Sequence, residues 1–387
     1  MIISIFPLFR AALAVAGTAF WEAASTTTSE RLTSSSSLAL AGLCCRLSMS
    51  VLAVRGLWSH TATSVASTSP LSIAFAISVP MAPHPTSPIL RGIGGYKSIG
   101  HQNLCGMLPS ELERFVVEDL GEWDDSSTLV PEAEAGANII AKEDCIISGL
   151  AEAIEIFKYF GLTADHLFDD GEFVPAGCAV LIVRGPARSI LQSERLALNF
   201  MARMSGISTI TRECVLSAGG RVRIAATRKT TPGFRIYEKK AVFLGGGDTH
   251  RFNLSDAVLI KDNHIQLLGL EECLRLARSR ASFTKKIEVE VESLADMLVA
   301  AKNSADIIMF DNMSASMIKE GVRQLQENDL RDRVLLEASG GITPENIEEY
   351  SRCGVDVISL GALTRNARWI DLSLEIEKAP AMSKIKI

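Results

Sequence analysis

In the second half of a 387-residue sequence, the side chains able to do chemistry fall into short groups. Cations come as Arg228-Lys229, flanked by Thr227 and by Thr230-Thr231, as His250-Arg251, and as Lys261 ahead of Asp262-Asn263-His264. Carboxylates come as Glu288 and Glu290, two residues apart, as Asp311 ahead of Asn312, and as Glu337. Two small-residue stretches follow, Ser339-Gly340-Gly341 and Ser359-Leu360-Gly361. Glycines let backbone N–H groups close on an anion, and a helix start adds partial positive charge, so these stretches read as phosphate cradles. For the first of them a plain turn into a capped helix, with Pro344 at its first position, explains the same residues. Lys229 or Lys261 alone also reads as a solvated lysine at a strand end. Glu288 and Glu290 share one face of a strand, and acids on a face that points into a barrel need partners.

The elements that would gather these groups are legible in the spacing. Apolar or β-branched runs at 222–226, 257–260, 287–291, 306–310, 334–336 and 355–359 read as strands, and 268–279, 294–301, 317–325 and 344–350 have helical spacing. Strands recurring with helices between them imply βαβ units and a parallel sheet, and several such units in a row imply a barrel. Barrel chemistry sits on the loops after the strands' C-terminal ends, where most of the groups above lie. Residues 107–200 read differently. A helix at 109–120, an apolar stretch at 145–160, a turn at Asp169-Asp170-Gly171, a strand at 180–183 and a helix at 190–204 after Gly185-Pro186 form a separate α+β domain. On the last of these helices Arg195 does not face its neighbour Glu194, so it lies on a solvated face or reaches beyond its own domain.

Charge and composition divide the chain near residue 100. Residues 1–100 hold six Lys/Arg against two acids, Glu22 and Glu30, which leaves 33 bases against 43 acids in the remainder. An acidic folded part argues against non-specific nucleic-acid binding, which needs a basic stripe. The eight cysteines include no C-x-x-C pair and no His at metal-site spacing, so no zinc or iron–sulfur site is expected. The first hundred residues are rich in Ser, Thr and Ala, with scattered Arg10, Arg31, Arg46 and Arg55. This composition describes a disordered leader or transit segment, pointing to a plastid or mitochondrial presequence. A start at Met81 or Met107 instead gives a cytoplasmic protein. No run reaches the ~18 apolar residues of a membrane span, so no membrane partner is expected.

Residues 107–378 resemble the quinolinate phosphoribosyltransferase family. The motifs that carry the resemblance are Ser193-Glu194-Arg195-Leu196-Ala197-Leu198-Asn199, Ser205-Gly206-Ile207, and the segments 227–233, 250–251, 261–264, 288–290, 310–312, 337–342 and 357–361. The resemblance implies an α/β fold: an N-terminal α/β sandwich domain over 107–204, an open, incomplete α/β barrel over 205–365, and a C-terminal helix and tail over 366–387 returning to the sandwich. It implies a homodimer in which each sandwich covers the partner's barrel, with Arg195 reaching the partner's site.

The implied reaction is a pentosyl transfer. Quinolinate and phosphoribosyl pyrophosphate (PRPP) give nicotinate mononucleotide, pyrophosphate and CO2 in NAD synthesis. Lys229, Lys261, Glu290 and Asp311 are then catalytic. Arg195, Thr227, Arg228, Lys229, His250, Arg251 and Lys261 bind the substrate anions, as guanidinium forks and ammonium groups do well. Glu290 and Asp311 face the developing cationic sugar and hold Mg2+, and Ser339, Gly340, Gly341, Ser359, Leu360 and Gly361 hold the 5′-phosphate. Trp123 departs from the family pattern, standing in a surface turn where glycine is common. Two rival readings are a paralogue acting on another aromatic acid and a barrel aldolase with Lys261 as Schiff-base nucleophile. The Arg228-Lys229 and His250-Arg251 pairs favour a dicarboxylate.

Overall fold

The computed structural model describes residues 107–122 and 124–377. The expectations that fall on the leader, on Trp123 and on residues 378–387 lie outside the described residues. The first part of the chain runs α1 (Pro109–Leu120), β1 (Glu134–Ala141), β2 (Cys145–Ile146), α2 (Leu150–Tyr159), β3 (Thr163–His166), β4 (Phe173–Val174), β5 (Ala179–Pro186) and α3 (Ala187–Ala218). The barrel part runs β6 (Arg223–Ala225), α4 (Arg235–Leu244), β7 (Val258–Ile260), α5 (Asp262–Leu268), α6 (Leu270–Arg280), β8 (Ile287–Val291), α7 (Leu294–Lys302), β9 (Ile307–Asp311), α8 (Ala315–Glu327), β10 (Leu335–Ser339), α9 (Ile347–Tyr350), β11 (Val357–Ser359) and α10 (Ala362–Arg365). It is followed by β12 (Leu372–Ile376).

Four strands form an antiparallel sheet in the order β12-β1-β5-β3. In β1, Ala137, Ile139 and Ala141 are fully buried and alternate with half-buried residues, the period-two pattern of a sheet covered on one face. Residues 366–387 were expected to hold a helix, and here the structure differs: 372–376 is a strand, antiparallel to β1 from Ala137↔Ile376 to Ala141↔Leu372. Leu372, Leu374 and Ile376 recur at every second position, which is strand periodicity.

Helix α3 is 32 residues long, about 48 Å at the α-helical rise. It crosses the expected domain boundary at 204/205 without a break. Ser193, Ala197, Ser205, Gly206 and Ser208 are buried along it and let neighbouring chain approach. At Gly206 a Cβ would overlap the Arg368 carbonyl oxygen, so this close crossing requires glycine.

The second sheet is parallel, in the order β6-β11-β10-β9-β8-β7. From β7 to β11 chain neighbours are sheet neighbours, and β6, the first strand, pairs with β11, the last, as in a barrel. Among the described residues β6 and β7 do not pair, so the barrel is open between its first and second strands. Along β8, Ile287, Val289 and Val291 are buried and alternate with Glu288 and Glu290, one apolar face and one acidic one. The core includes Ile308, Phe310, Leu336, Ala338 and Ile358, all fully buried; truncating Phe310 to alanine would cost about 3–5 kcal/mol.

Candidate active site

The parallel register brings the strand ends level. Ala225 is opposite Ser359, Ser359 opposite Ser339, and Ser339 opposite Asp311. Groups far apart in sequence therefore share one rim. On it Lys261 Nζ donates to Glu290 Oε1 at 2.8 Å, and Asn312 Nδ2 donates to Asp311 Oδ2 at 3.0 Å. The Ser359 hydroxyl donates to Ser339 Oγ at 3.0 Å. Lys229 N donates to Thr227 Oγ1 at 3.2 Å, and Thr364 Oγ1 donates to Lys229 O at 2.8 Å. A Cβ added at Gly361 would lie 3.1 Å from Lys229 Cδ and 3.7 Å from Thr227 Oγ1. The loops after β6 and β11 thus meet, with Lys229 over the glycine.

Gly340 and Gly341 both have left-handed backbones, φ 82° and 63°, which glycine adopts without strain. At Gly340 a side chain would also come within 2.7 Å of Asn312 N. The expected helix at 344–350 begins only at Ile347, because 344–346 is a turn, held by Asn346 Oδ1 on Thr343 N (2.8 Å). A cradle here therefore rests on bare backbone N–H groups rather than on a helix start. In the second stretch Leu360 is buried and its N–H is taken by Ala225 O at 3.0 Å, which makes it a core residue beside Ser359 and Gly361.

The open edge of β6 is extended by one residue: Asp248 bridges to Ala225 in parallel sense. The segment after it carries His250, whose φ is 52°. The backbone N of His250 donates to Asp248 Oδ1 at 2.7 Å, and Arg251 N donates to His250 Nδ1 at 2.9 Å. With Nδ1 accepting, the ring proton belongs on Nε2, which lies 3.1 Å from Glu337 Oε2 and 3.9 Å from Glu288 Oε1. Both ring nitrogens are thus engaged within the protein, as the Lys261 ammonium is by Glu290.

Glu288 and Glu337 are 1% and 2% exposed, and both oxygens of Glu288 and Oε1 of Glu337 have no hydrogen-bond partner among the described residues. Burial and the neighbouring Glu337 push the Glu288 carboxyl up to about 7. Burial opposes a charged His250, but the bond to Glu337 and the charges of both acids outweigh it and raise its pKa. Ligand atoms of the three residues lie within 4.8 Å of one another. An ion on Nε2 would displace the proton that the Arg251 N–H directs there, so the geometry fits a proton-sharing cluster better than a metal centre.

Arg228, Lys229 and Arg251 make no side-chain hydrogen bond or ion pair among the described residues, and Arg228 Nε is buried without a partner. Arg195 is exposed on α3 with no ion pair among the described residues. Burial raises the Asp119 carboxyl, an effect that the Arg195 charge opposes.

Sequence reasoning missed α4 and the arginine that pairs with it. Glu238, fully buried, accepts from Thr231 N (3.1 Å) and Thr231 Oγ1 (2.9 Å), and is ion-paired with Arg203 Nη2 at 2.7 Å. Arg203 also donates to the carbonyls of Ala367 (2.9 Å) and Thr364. Arg235 joins Thr230 Oγ1 and Phe252 O, each at 3.0 Å, and Lys239 Nζ donates to Thr249 O and Arg251 O. The one signal available was charge at helical spacing, 235, 238 and 239, directly after Pro232-Gly233.

Residues 125–205 match the family described as quinolinate phosphoribosyl transferase, N-terminal domain, and residues 207–375 match its C-terminal domain. The chain is 48% identical over 244 residues to the probable nicotinate-nucleotide pyrophosphorylase (carboxylating) of Methanothermobacter thermautotrophicus, spanning 62% of this chain and 88% of the relative. It is 36% identical over 263 residues to the nicotinate-nucleotide pyrophosphorylase (carboxylating) of Rattus norvegicus, spanning 67% and 87%. Among solved structures, the nicotinate-nucleotide pyrophosphorylase from Francisella tularensis superposes with a TM-score of 0.66 at 34% identity, covering 71% of this chain and 99% of that one.

Proposed function

The chain belongs to the quinolinate phosphoribosyl transferase family, and on that premise we propose that it transfers the phosphoribosyl group of PRPP to quinolinate at the rim described above. The products are nicotinate mononucleotide, pyrophosphate and CO2, in NAD biosynthesis. The observation that carries this reading is Arg228, whose Nε is buried without an acceptor among the described residues, together with Lys229 and Arg251, whose side chains also lack partners among them. Buried donors in native proteins are nearly always satisfied, and the two carboxylates of quinolinate supply the acceptors.

The ring nitrogen attacks C1′ of PRPP as the bond to pyrophosphate breaks, and the sugar becomes cationic on the way. Glu290 and Asp311, on neighbouring strands, offer negative charge to that sugar and acceptors to its hydroxyls. Lys229, above Gly361, and the bare backbone at Gly340-Gly341 face the phosphates. Once ribosylated, the ring is a pyridinium that accepts the electron pair left by CO2 before a proton replaces it.

Glu290 Oε2 and Asp311 Oδ1 have no protein partner among the described residues, a hard-oxygen pair that fits Mg2+. When bound there, Mg2+ would neutralise the leaving pyrophosphate. We read 107–204 and 205–365 as the two domains, joined through α3, and the protein as a homodimer in which the unpaired Arg195 serves the partner's site. Leu254, Leu267 and Leu268, exposed near the open β7 edge, suit such a covered face. Residues 1–100 read as an organellar presequence from composition, and among the described residues no helix is long and apolar enough to cross a membrane. Lys261 is ion-paired with Glu290, whereas an aldolase nucleophile needs a free amine. The test is pyrophosphate release from PRPP with quinolinate against nicotinate as acceptor. Release with quinolinate, accompanied by nicotinate mononucleotide, is expected; release with the monocarboxylate alone would transfer the assignment to a paralogue.

A further inference from the structure

We propose that Lys239 is a positioning residue for the dicarboxylate site, its buried ammonium fixing the backbone of 249–251 and thereby the directions in which His250 and Arg251 leave the chain. The proposal rests on quinolinate being the substrate. Lys239 is fully buried on α4, and its Nζ donates to Thr249 O and to Arg251 O, the latter at 2.9 Å. These two carbonyls flank His250, the residue with a left-handed backbone. Arg235, one turn earlier on the helix, holds the next carbonyl, Phe252 O, at 3.0 Å, and the Phe252 ring lies 5.3 Å from Nζ.

Lys239 has no ion pair with any acid among the described residues. Burial pushes its ammonium down to about 7, Arg235 and Arg228 act in the same direction, and Asp248 and Asp256 oppose them. A site that needed only packing would be filled at less cost by an apolar side chain. What the charge adds is direction, because an ammonium with several donors turns two carbonyls toward one point and fixes the peptide plane before His250 and the one after Arg251. Those planes set where Arg251 can carry its fork, and His250 can reach Glu337 across the barrel only from the same backbone.

The test compares the full chain with its Lys239→Met variant, which keeps length and burial but has no donor. The Michaelis constant for quinolinate should rise about ten- to a hundred-fold, as misplacement of a binding group by an ångström or so does. The Michaelis constant for PRPP should change by less than about two-fold, because the proposed reading gives the PRPP groups to Lys229, Glu290, Asp311 and the Gly340-Gly341 backbone rather than to this segment. Lys239→Gln, which keeps a donor for one carbonyl, should recover part of the loss. An unchanged quinolinate constant in a folded Lys239→Met protein overturns the proposal, and so does an equal rise in both constants. If neither variant folds, a crystal structure of the wild-type chain with quinolinate decides. Both carbonyls remaining on Nζ while Arg251 binds the ligand supports the proposal, and either carbonyl turned away overturns it. Failure of the substrate reading is distinguishable, since the wild-type chain would then make no nicotinate mononucleotide from quinolinate.

Discussion

Glu238, Lys239 and Lys240 lie buried on α4, each with its partner: Arg203 and Thr231, the 249–251 carbonyls, and Glu152. On the loops before and after α4, the side chains of Arg228, Lys229 and Arg251 have no protein partner among the described residues. Taking an ion out of water costs several kcal/mol unless it is paired, so charges inside must be answered by the protein before it can fold. Charges on the rim keep some water and can wait for a ligand. The contrast teaches that the paired set is structural or positioning, and that the unpaired set marks the binding surface.

The sharpest way to break this distinction is to remove a rim cation. Lys229→Ala should lower kcat/KM by about 10²–10³-fold, as loss of one preorganised charge at a reacting centre does, while the melting temperature stays within about 2 °C. A large fall in melting temperature would move Lys229 into the structural set. The next test concerns Arg195. Arg195→Ala and Arg228→Ala should each be inactive, and mixing them after dissociation should restore about a quarter of wild-type activity, since half the dimers are then mixed and each has one intact site. No recovery would return Arg195 to a solvated face.

On the paired side, Glu152→Ala leaves Lys240 buried without its 2.8 Å partner. Unfolding free energy should fall by about 3–5 kcal/mol, with both Michaelis constants of the folded fraction retained. A denaturation midpoint equal to wild type would refute the structural assignment. The smallest effect belongs to a charge paired in open water. Glu320, bonded to Arg323, has its carboxyl pulled down to about 2. A depressed carboxyl stabilises the fold above its unfolded pKa of 4.5 and loses that contribution as pH falls toward 2. The pair is exposed and screened by salt, so Glu320→Gln should leave the acid-unfolding midpoint almost unmoved in moderate salt. A clear shift would mean that α8 depends on it.

The barrel strands and their charged ends were legible in the sequence because apolar runs and strand-end chemistry are local. Strand β8 was read with its observed limits, and α1 likewise. Strand β10, read as 334–336 and observed as Leu335–Ser339, was ended three residues early, since Glu337, though buried, interrupts the apolar run. Helix α4 was missed for the same reason, as the buried Glu238, Lys239 and Lys240 interrupt the apolar positions Tyr237, Ala241 and Val242 on its inward face. The sequence placed His250 with the substrate-binding cations, and its protein partners, Glu337 and Glu288, lie 87 and 38 positions away. Only the folded barrel shows that they meet.

Strand β12 pairs with β1 although residues 137 and 376 stand at opposite ends of the described chain. Contacts so remote in sequence form late and slow folding, because a long loop must close before they contribute. The first sheet to leave the ribosome therefore has an open edge until 372–376 has been made. The β1 edge is left exposed to stray pairing throughout elongation, and loss of a few residues around 372–376 would damage the domain made first.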